Sequence, residues 1–266
     1  MSSTAKSQSD NFMTAISQFF EGLVKRSKLV AISALILVIL AVIGAYVMSR
    51  QDSKMDASRN ALYAATKAYE VELKAVATAN APAAAQAEVK TDTKVDKDKK
   101  AEEARAEAAN LDAVRFKKLD VDAKFPEALK KFRAVADEYP GTRTAFEAEL
   151  GAADLYYRHG ESAKAVDWYQ KAVSSAPDSL GKALALTSLG YAQENSGKCP
   201  DALGTYQKAL NVGEVSIKSD VMMSMARCYE AANDATRARA TYEQVIKDFP
   251  GSDASKSAEL FKSQLK

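Results

Sequence analysis

The 266-residue chain predicts an all-α protein: a single transmembrane helix followed by a helical solenoid of repeated hairpins. Three observations carry that reading. A pattern of alanine, aromatic ring and small residue recurs every 36 or 37 residues. The stretch from Leu29 to Met48 holds neither a charge nor a proline. Alanine is abundant, proline and glycine are scarce, and the β-branched alternation of strands is nearly absent.

The repeat is anchored on Ala128, Ala165, Ala202 and Ala238. An aromatic ring follows each four residues on: Phe132, Tyr169, Tyr206 and Tyr242. A small or β-branched residue comes three later: Val135, Ala172, Ala209 and Val245. Positions i, i+4 and i+7 share one helix face, so the alanine admits a neighbouring helix and the ring fills the space beside it. Pro140, Pro177 and Pro250 then stop three of these helices, and Glu214 replaces proline in the third repeat. Upstream of each alanine a partner helix ends at a turn: Gly160, Gly197, and Asn233 with Asp234. A fixed period of this size marks an array of stacked hairpins.

In chain order, residues 1–28 form an N-terminal tail and an interfacial helix. Asp10 can cap it, and Phe12, Met13, Ile16, Phe19, Phe20 and Leu23 fall on one face. Residues 29–48 follow as the span. Twenty residues at about 1.5 Å each match a bilayer core of about 30 Å. Its leucines, isoleucines and valines favour insertion by roughly 4–7 kcal/mol. The leader is too long, and no small-residue cleavage site follows, so the span is expected to be retained. Lys25, Arg26 and Lys28 crowd its first edge; Arg50, Lys54 and Arg59 follow the second. The denser cluster places the N-terminus in the cytoplasm and the repeats outside it.

Residues 49–79 continue as a helix with a stripe of Ala57, Ala61, Leu62, Ala65, Ala68, Tyr69, Leu73 and Val76. Residues 80–118 are a charged Ala/Lys/Glu-rich insertion, read as a solvated spacer with a helix over 101–118. Either 55–78 or 101–118 can pair with the helix carrying Ala128. The repeats occupy 119–251. Residues 252–266 make a capping helix, started by Ser252 or Asp253, with Ala254, Ala258, Phe261 and Leu265 on one side.

Helix, tight turn, helix, break resembles the tetratricopeptide repeat (TPR), over roughly 125–251, with a break two or three residues longer than usual for a repeat of about 34 residues. The resemblance implies a concave, protein-binding face lined by the first helix of each hairpin. It would hold Leu150, Asp154, Tyr157 and Arg158, then Leu184, Thr187, Tyr191 and Glu194, then Met223, Arg227 and Glu230. The Lys/Asn pattern with which cytosolic co-chaperones of this fold clamp a C-terminal carboxylate is missing. The whole layout is also similar to the YfgM-type ancillary subunit of the bacterial Sec translocon. That likeness implies a single-pass protein of the bacterial inner membrane, its repeats in the periplasm, beside SecYEG and periplasmic chaperones. Three alternatives stay open: a scaffold for cell-wall synthesis, outer-membrane assembly or motility, an enzyme whose active site the sequence does not reveal, and an adaptor facing the cytoplasm.

No chemistry is expected of the chain. One histidine and two cysteines cannot supply the usual four-ligand zinc site. His159 lacks the partners of a catalytic triad and is read as a surface or capping residue at a turn. No phosphate loop appears, and a net charge of +2 gives no footprint for nucleic acid. The expectation is therefore no enzyme, no cofactor and no metal. Cys199 opens one second helix and Cys228 lies near the end of the next first helix. Antiparallel helices bring both to one edge, where either a disulfide or two buried thiols would fit.

Overall fold

The computed structural model describes residues 27–80, 108–109, 111 and 114–265; within 27–38, side chains are described only at Ile36 and Leu37. The expected interfacial helix and the charged run at 90–100 lie outside these residues. Every regular element among the described residues is helical. In order they are α1 (Ser27–Asn80), α2 (Val121–Lys124), α3 (Pro126–Glu138), α4 (Arg143–Arg158), α5 (Ser162–Ser175) and α6 (Ser179–Asn195). There follow α7 (Cys199–Val212), a 3-10 turn (Val215–Ile217), α8 (Lys218–Ala231), α9 (Ala235–Asp248) and α10 (Asp253–Gln264). The chain divides into two compact units, Met1–Ala57 and Ser58–Lys266.

In the second unit each helix from α3 onward packs on the next, and α6 and α8 also touch their second neighbours. This is the connectivity of a solenoid, in which each hairpin contacts only those beside it. The repeat pattern explains the packing. Ala128, Ala165, Ala202 and Ala238 are fully buried, and the four rings are at most 5% exposed. Tyr206 lies so close to α6 that a Cβ on Gly190 would stand 2.2 Å from its Cε1. Phe132 crowds Gly151 of α4 in the same way, at 2.6 Å. These glycines are therefore required by close approach, whatever their helix propensity.

The breaks are built alike. After α3, Pro140 and Gly141 turn the chain, and the Thr142 hydroxyl accepts from Ala145 N at 3.1 Å. After α9, Pro250 and Gly251 do the same, and Ser252 Oγ accepts from Ser255 N at 3.0 Å. After α5, Asp178 caps α6 by accepting from Gly181 N at 2.7 Å. Each cap satisfies a donor that the first turn leaves open. The hairpin turns share a second device: Gly160, Gly197 and Asn233 take left-handed backbone, with φ of 79°, 75° and 57°. The following amides, Glu161, Lys198 and Asp234, each donate to a carbonyl five residues back. This is the left-handed helix ending that glycine and asparagine favour.

The partner of α3 is the second part of α1. The Glu72 carboxylate accepts from the amides of Glu127 and Ala128, at 2.9 and 3.0 Å. Phe125 offers α3 no side-chain cap, so Glu72 supplies the negative charge that a helix N-terminus favours. Ala65, Leu73, Val76 and Ala77 share a core with Phe125, Ala128, Leu129 and Phe132. Ser58, not Ala57, begins the buried stripe, and its hydroxyl meets that of Thr144 at 3.0 Å. Val114 is buried in the same core, so residues near the end of the expected insertion belong to the array.

The first unit is different. Every residue from 39 to 57 is exposed. Among the described residues no helix is long and apolar enough to cross a membrane. The expected span at 29–48 lies partly outside the residues whose side chains are described.

Candidate functional site

The first helices of the hairpins, α4, α6 and α8, carry the residues expected to line the binding face. The structure draws most of them into one polar row. Tyr169 of α5 donates to Asp154 Oδ1 at 2.5 Å. Tyr206 of α7 donates to Glu194 Oε2 at 2.7 Å. Tyr242 of α9 donates to Glu230. The repeat's ring thus fills the core with its body and holds a first-helix carboxylate with its hydroxyl. Burial, together with these carboxylates, pushes the phenols of Tyr169, Tyr206 and Tyr242 well above the usual tyrosine range.

Two links join successive first helices. Arg227 Nε of α8 donates to Glu194 Oε1 of α6 at 2.9 Å, and its Nη2 reaches Ser224 Oγ at 2.7 Å. Asn195 of α6 donates to the Tyr157 hydroxyl of α4 at 2.7 Å. Within α4, Arg158 lies 3.8 Å from Asp154. Tyr157 and Tyr191 meet the core rings of Tyr169 and Tyr206 edge-on, with centroids 6.4 and 5.9 Å apart. Glu194 therefore has one oxygen held by a phenol and the other by a guanidinium.

Two expected contact residues stand apart. Thr187 is buried and returns its hydroxyl to the Ala183 carbonyl at 2.8 Å. Met223 is buried in the core of α8, α9 and α10. Leu184 is 48% exposed, and Leu180, one turn before it, is 55% exposed. Leu150 is half-buried.

Asp154 and Arg158 also border a cleft of about 300 Å³ between α1 and α4. Leu62, Thr66 and Tyr69 form its α1 wall, with Phe132 and Leu155 at its side. The Tyr69 hydroxyl is buried, and burial raises its pKa. Sequence reasoning missed these wall residues because it left the partner of α3 undecided. The stripe containing Leu62 and Tyr69 was the available signal.

His159 needs a correction. It occupies the C-cap of α4, as a capping residue would, but it is fully buried. Its ring stacks on Phe125 at 4.7 Å, and Nδ1 lies 2.8 Å from the Lys117 carbonyl. Burial lowers its pKa below the ordinary imidazole value. The cause is the segment at 114–119, which lies over the turn and ties Leu119 N to the His159 carbonyl at 3.3 Å. Cys199 and Cys228 are free thiols, and Cys199 packs against the hydrophobic cluster that contains Cys228.

Models of the tetratricopeptide repeat match residues 122–179 and 220–252. The first stretch takes in α3, α4 and α5, and the second α8 and α9. The unmatched hairpin, α6 and α7, is the one with Glu214 in the proline position and a 3-10 turn after it. No curated protein matches the chain. The all-helical array thus carries tetratricopeptide repeats in two stretches, and such repeats mark a scaffold for protein–protein interaction.

Proposed function

We propose that the chain is a membrane-anchored scaffold that binds other proteins along the first-helix face of its array. The observation that carries this reading is the contrast in exposed surface. On the array, α6 exposes Leu180 and Leu184 in its first turns and carries Glu194 of the tyrosine–carboxylate–arginine row in its last. Such a face offers apolar steps and fixed hydrogen-bond partners to an extended segment, with no reactive group among them. Before the array, Ile36, Leu37, Ile39, Leu40, Val42, Ile43, Val47 and Met48 are all 48–67% exposed. Large apolar side chains on most sides of one helix suit lipid. With the uncharged run that begins at Leu29, they support a single span.

The layout is similar to that of the Sec-associated subunit. We therefore place the protein in the bacterial inner membrane, N-terminus cytoplasmic and repeats periplasmic, handling chains near SecYEG together with periplasmic chaperones. The test is a photo-crosslinking amino acid at Leu184 in cells, with exposed Ser174 of α5 as the control position. Adducts with Sec channel subunits or periplasmic chaperones from Leu184, and few from Ser174, support the reading. Adducts with cell-wall or outer-membrane machinery would replace the Sec assignment. Equal yields at both positions would remove the binding face itself. Protease digestion of intact spheroplasts tests the orientation: repeats left uncut there contradict it.

A further inference from the structure

Cys199 lies in the first turn of α7, and Cys228 lies in the last turn of α8. Consecutive antiparallel helices bring these ends together, and both side chains belong to one hydrophobic cluster. Cys228 is fully buried, while Cys199 is half-buried and packs against the same cluster of Leu186, Ala202, Tyr206 and Met225. Two thiols from neighbouring hairpins, one buried and one reachable from solvent, form an arrangement distinct from the tyrosine–carboxylate row.

We propose that Cys199 and Cys228 form a reversible disulfide when the protein meets a small disulfide oxidant such as oxidised glutathione. The accessible thiol reacts first. Cys199 gives its proton to solvent, and its thiolate attacks one sulfur of the oxidant. The oxidant's S–S bond breaks, one half leaves as a thiolate, and a mixed disulfide remains on Cys199. Cys228 then loses its proton and attacks Cys199 Sγ. The new intramolecular S–S bond forms as the second half of the oxidant departs as a thiolate. Two cysteine thiols are oxidised by two electrons, and the oxidant is reduced to two thiols. Burial, with the nearby Glu194, holds the Cys228 thiol up.

The position gives the bond a purpose. It fastens α7 to α8 at the end of the pair away from their connection, where Glu214 replaces proline and the 3-10 turn intervenes. Its loop also contains Arg227, whose bond to Glu194 joins α8 to α6. Closure would hold two hairpins in register where the repeat's own stop signal is missing. The inference does not depend on the proposed partners or on the membrane.

The test uses the full chain purified in detergent. It is incubated natively with oxidised glutathione, quenched with an alkylating agent, digested and examined by mass spectrometry. The expected product is the Cys199 peptide joined to the Cys228 peptide within one chain. Tm should rise by on the order of 5–10 °C and fall back with dithiothreitol. Neither Cys199→Ser nor Cys228→Ser should show the rise. Should Cys228→Ser fail to fold, Cys199→Ser still decides, because its Cys228 should resist alkylation in the native state. A lasting glutathione adduct on Cys199, a disulfide between chains, or two free thiols after oxidation would each overturn the proposal.

Discussion

α1 contains two stretches of one continuous helix that treat their apolar residues in opposite ways. From 39 to 57 every residue is exposed, and the large apolar side chains face most directions. From Ser58 onward a buried stripe forms: Ala65, Leu73, Val76 and Ala77 are buried, while Lys67, Glu70 and Lys74, and also Tyr63 and Val71, are exposed. The backbone is the same in both. The difference is the partner each side chain set is written for. The second stretch is matched to α3 and α4, whose residues complete its core. The first leaves large apolar residues from Ile39 to Met48 exposed on most sides of the helix. A helical pattern alone therefore says little; the distribution of apolar residues around the helix tells which environment the helix needs.

The largest effect should come from breaking the first stretch. Leu40→Arg places a charge in the middle of the apolar run, at a cost of about 2.5–3.5 kcal/mol for insertion. The expected outcome is loss of the protein from the carbonate-washed membrane fraction, with the melting of the array unchanged. A variant that stays in the membrane pellet would mean that the run is not the anchor.

Within the array, the repeat's close contacts come next. Gly190→Ala puts a methyl group 2.2 Å from the buried ring of Tyr206, and Ala202→Trp overfills a fully buried position. Each should cost about 1–3 kcal/mol or more. Ser174→Trp, on an exposed position of α5, should shift Tm much less. Equal shifts at 174 and 202 would contradict the register.

Much of this could be read in the sequence. The buried alanines, rings and third-row residues come directly from the 36- or 37-residue period. The turns were marked by Gly160, Gly197 and Asn233, because only a few residue types accept left-handed backbone at low cost. What could not be read required contacts between distant segments. The burial of His159 depends on residues 114–119 lying over its turn, and nothing near His159 records that. Thr187 and Met223 fit the first-helix pattern by position, but which side of the helix is covered depends on how far the next hairpin rotates. The pairing of α1 with α3 rests on Glu72 reaching the amides of Glu127 and Ala128, a contact more than fifty residues apart along the chain.

That pairing yields a more modest prediction. Glu72→Ala removes the only side chain seen to cap α3 among the described residues, since Phe125 cannot do so. The loss should be about 0.5–2 kcal/mol, the usual range for a cap. Glu72→Asp, one methylene shorter, should recover little of it, because the acceptor must span two helices. Urea denaturation of the variants measures both. An unchanged midpoint for Glu72→Ala would mean that α1 docks by its apolar stripe alone.

The smallest effect at neutral pH, and a distinct one at high pH, belongs to the tyrosine–carboxylate row. Tyr169, Tyr206 and Tyr242 are buried beside carboxylates, so their folded pKa values lie above the unfolded value of about 10. A group raised on folding contributes stability that is fully present below the unfolded pKa. That contribution is lost as pH rises from about 10 toward the folded pKa, because the unfolded chain gives up its proton first. Tm should therefore be flat through neutral pH and fall steeply above about pH 10. Tyr206→Phe removes one such group and leaves Glu194 held by Arg227. Its cost at pH 7 should be about 1 kcal/mol, near the ordinary net value of a hydrogen bond. Its alkaline limb should be shallower than that of the wild type. Parallel limbs for the two proteins would show that the Tyr206 phenol ionises freely in the folded array, and that the row holds its carboxylates by charge pairing alone.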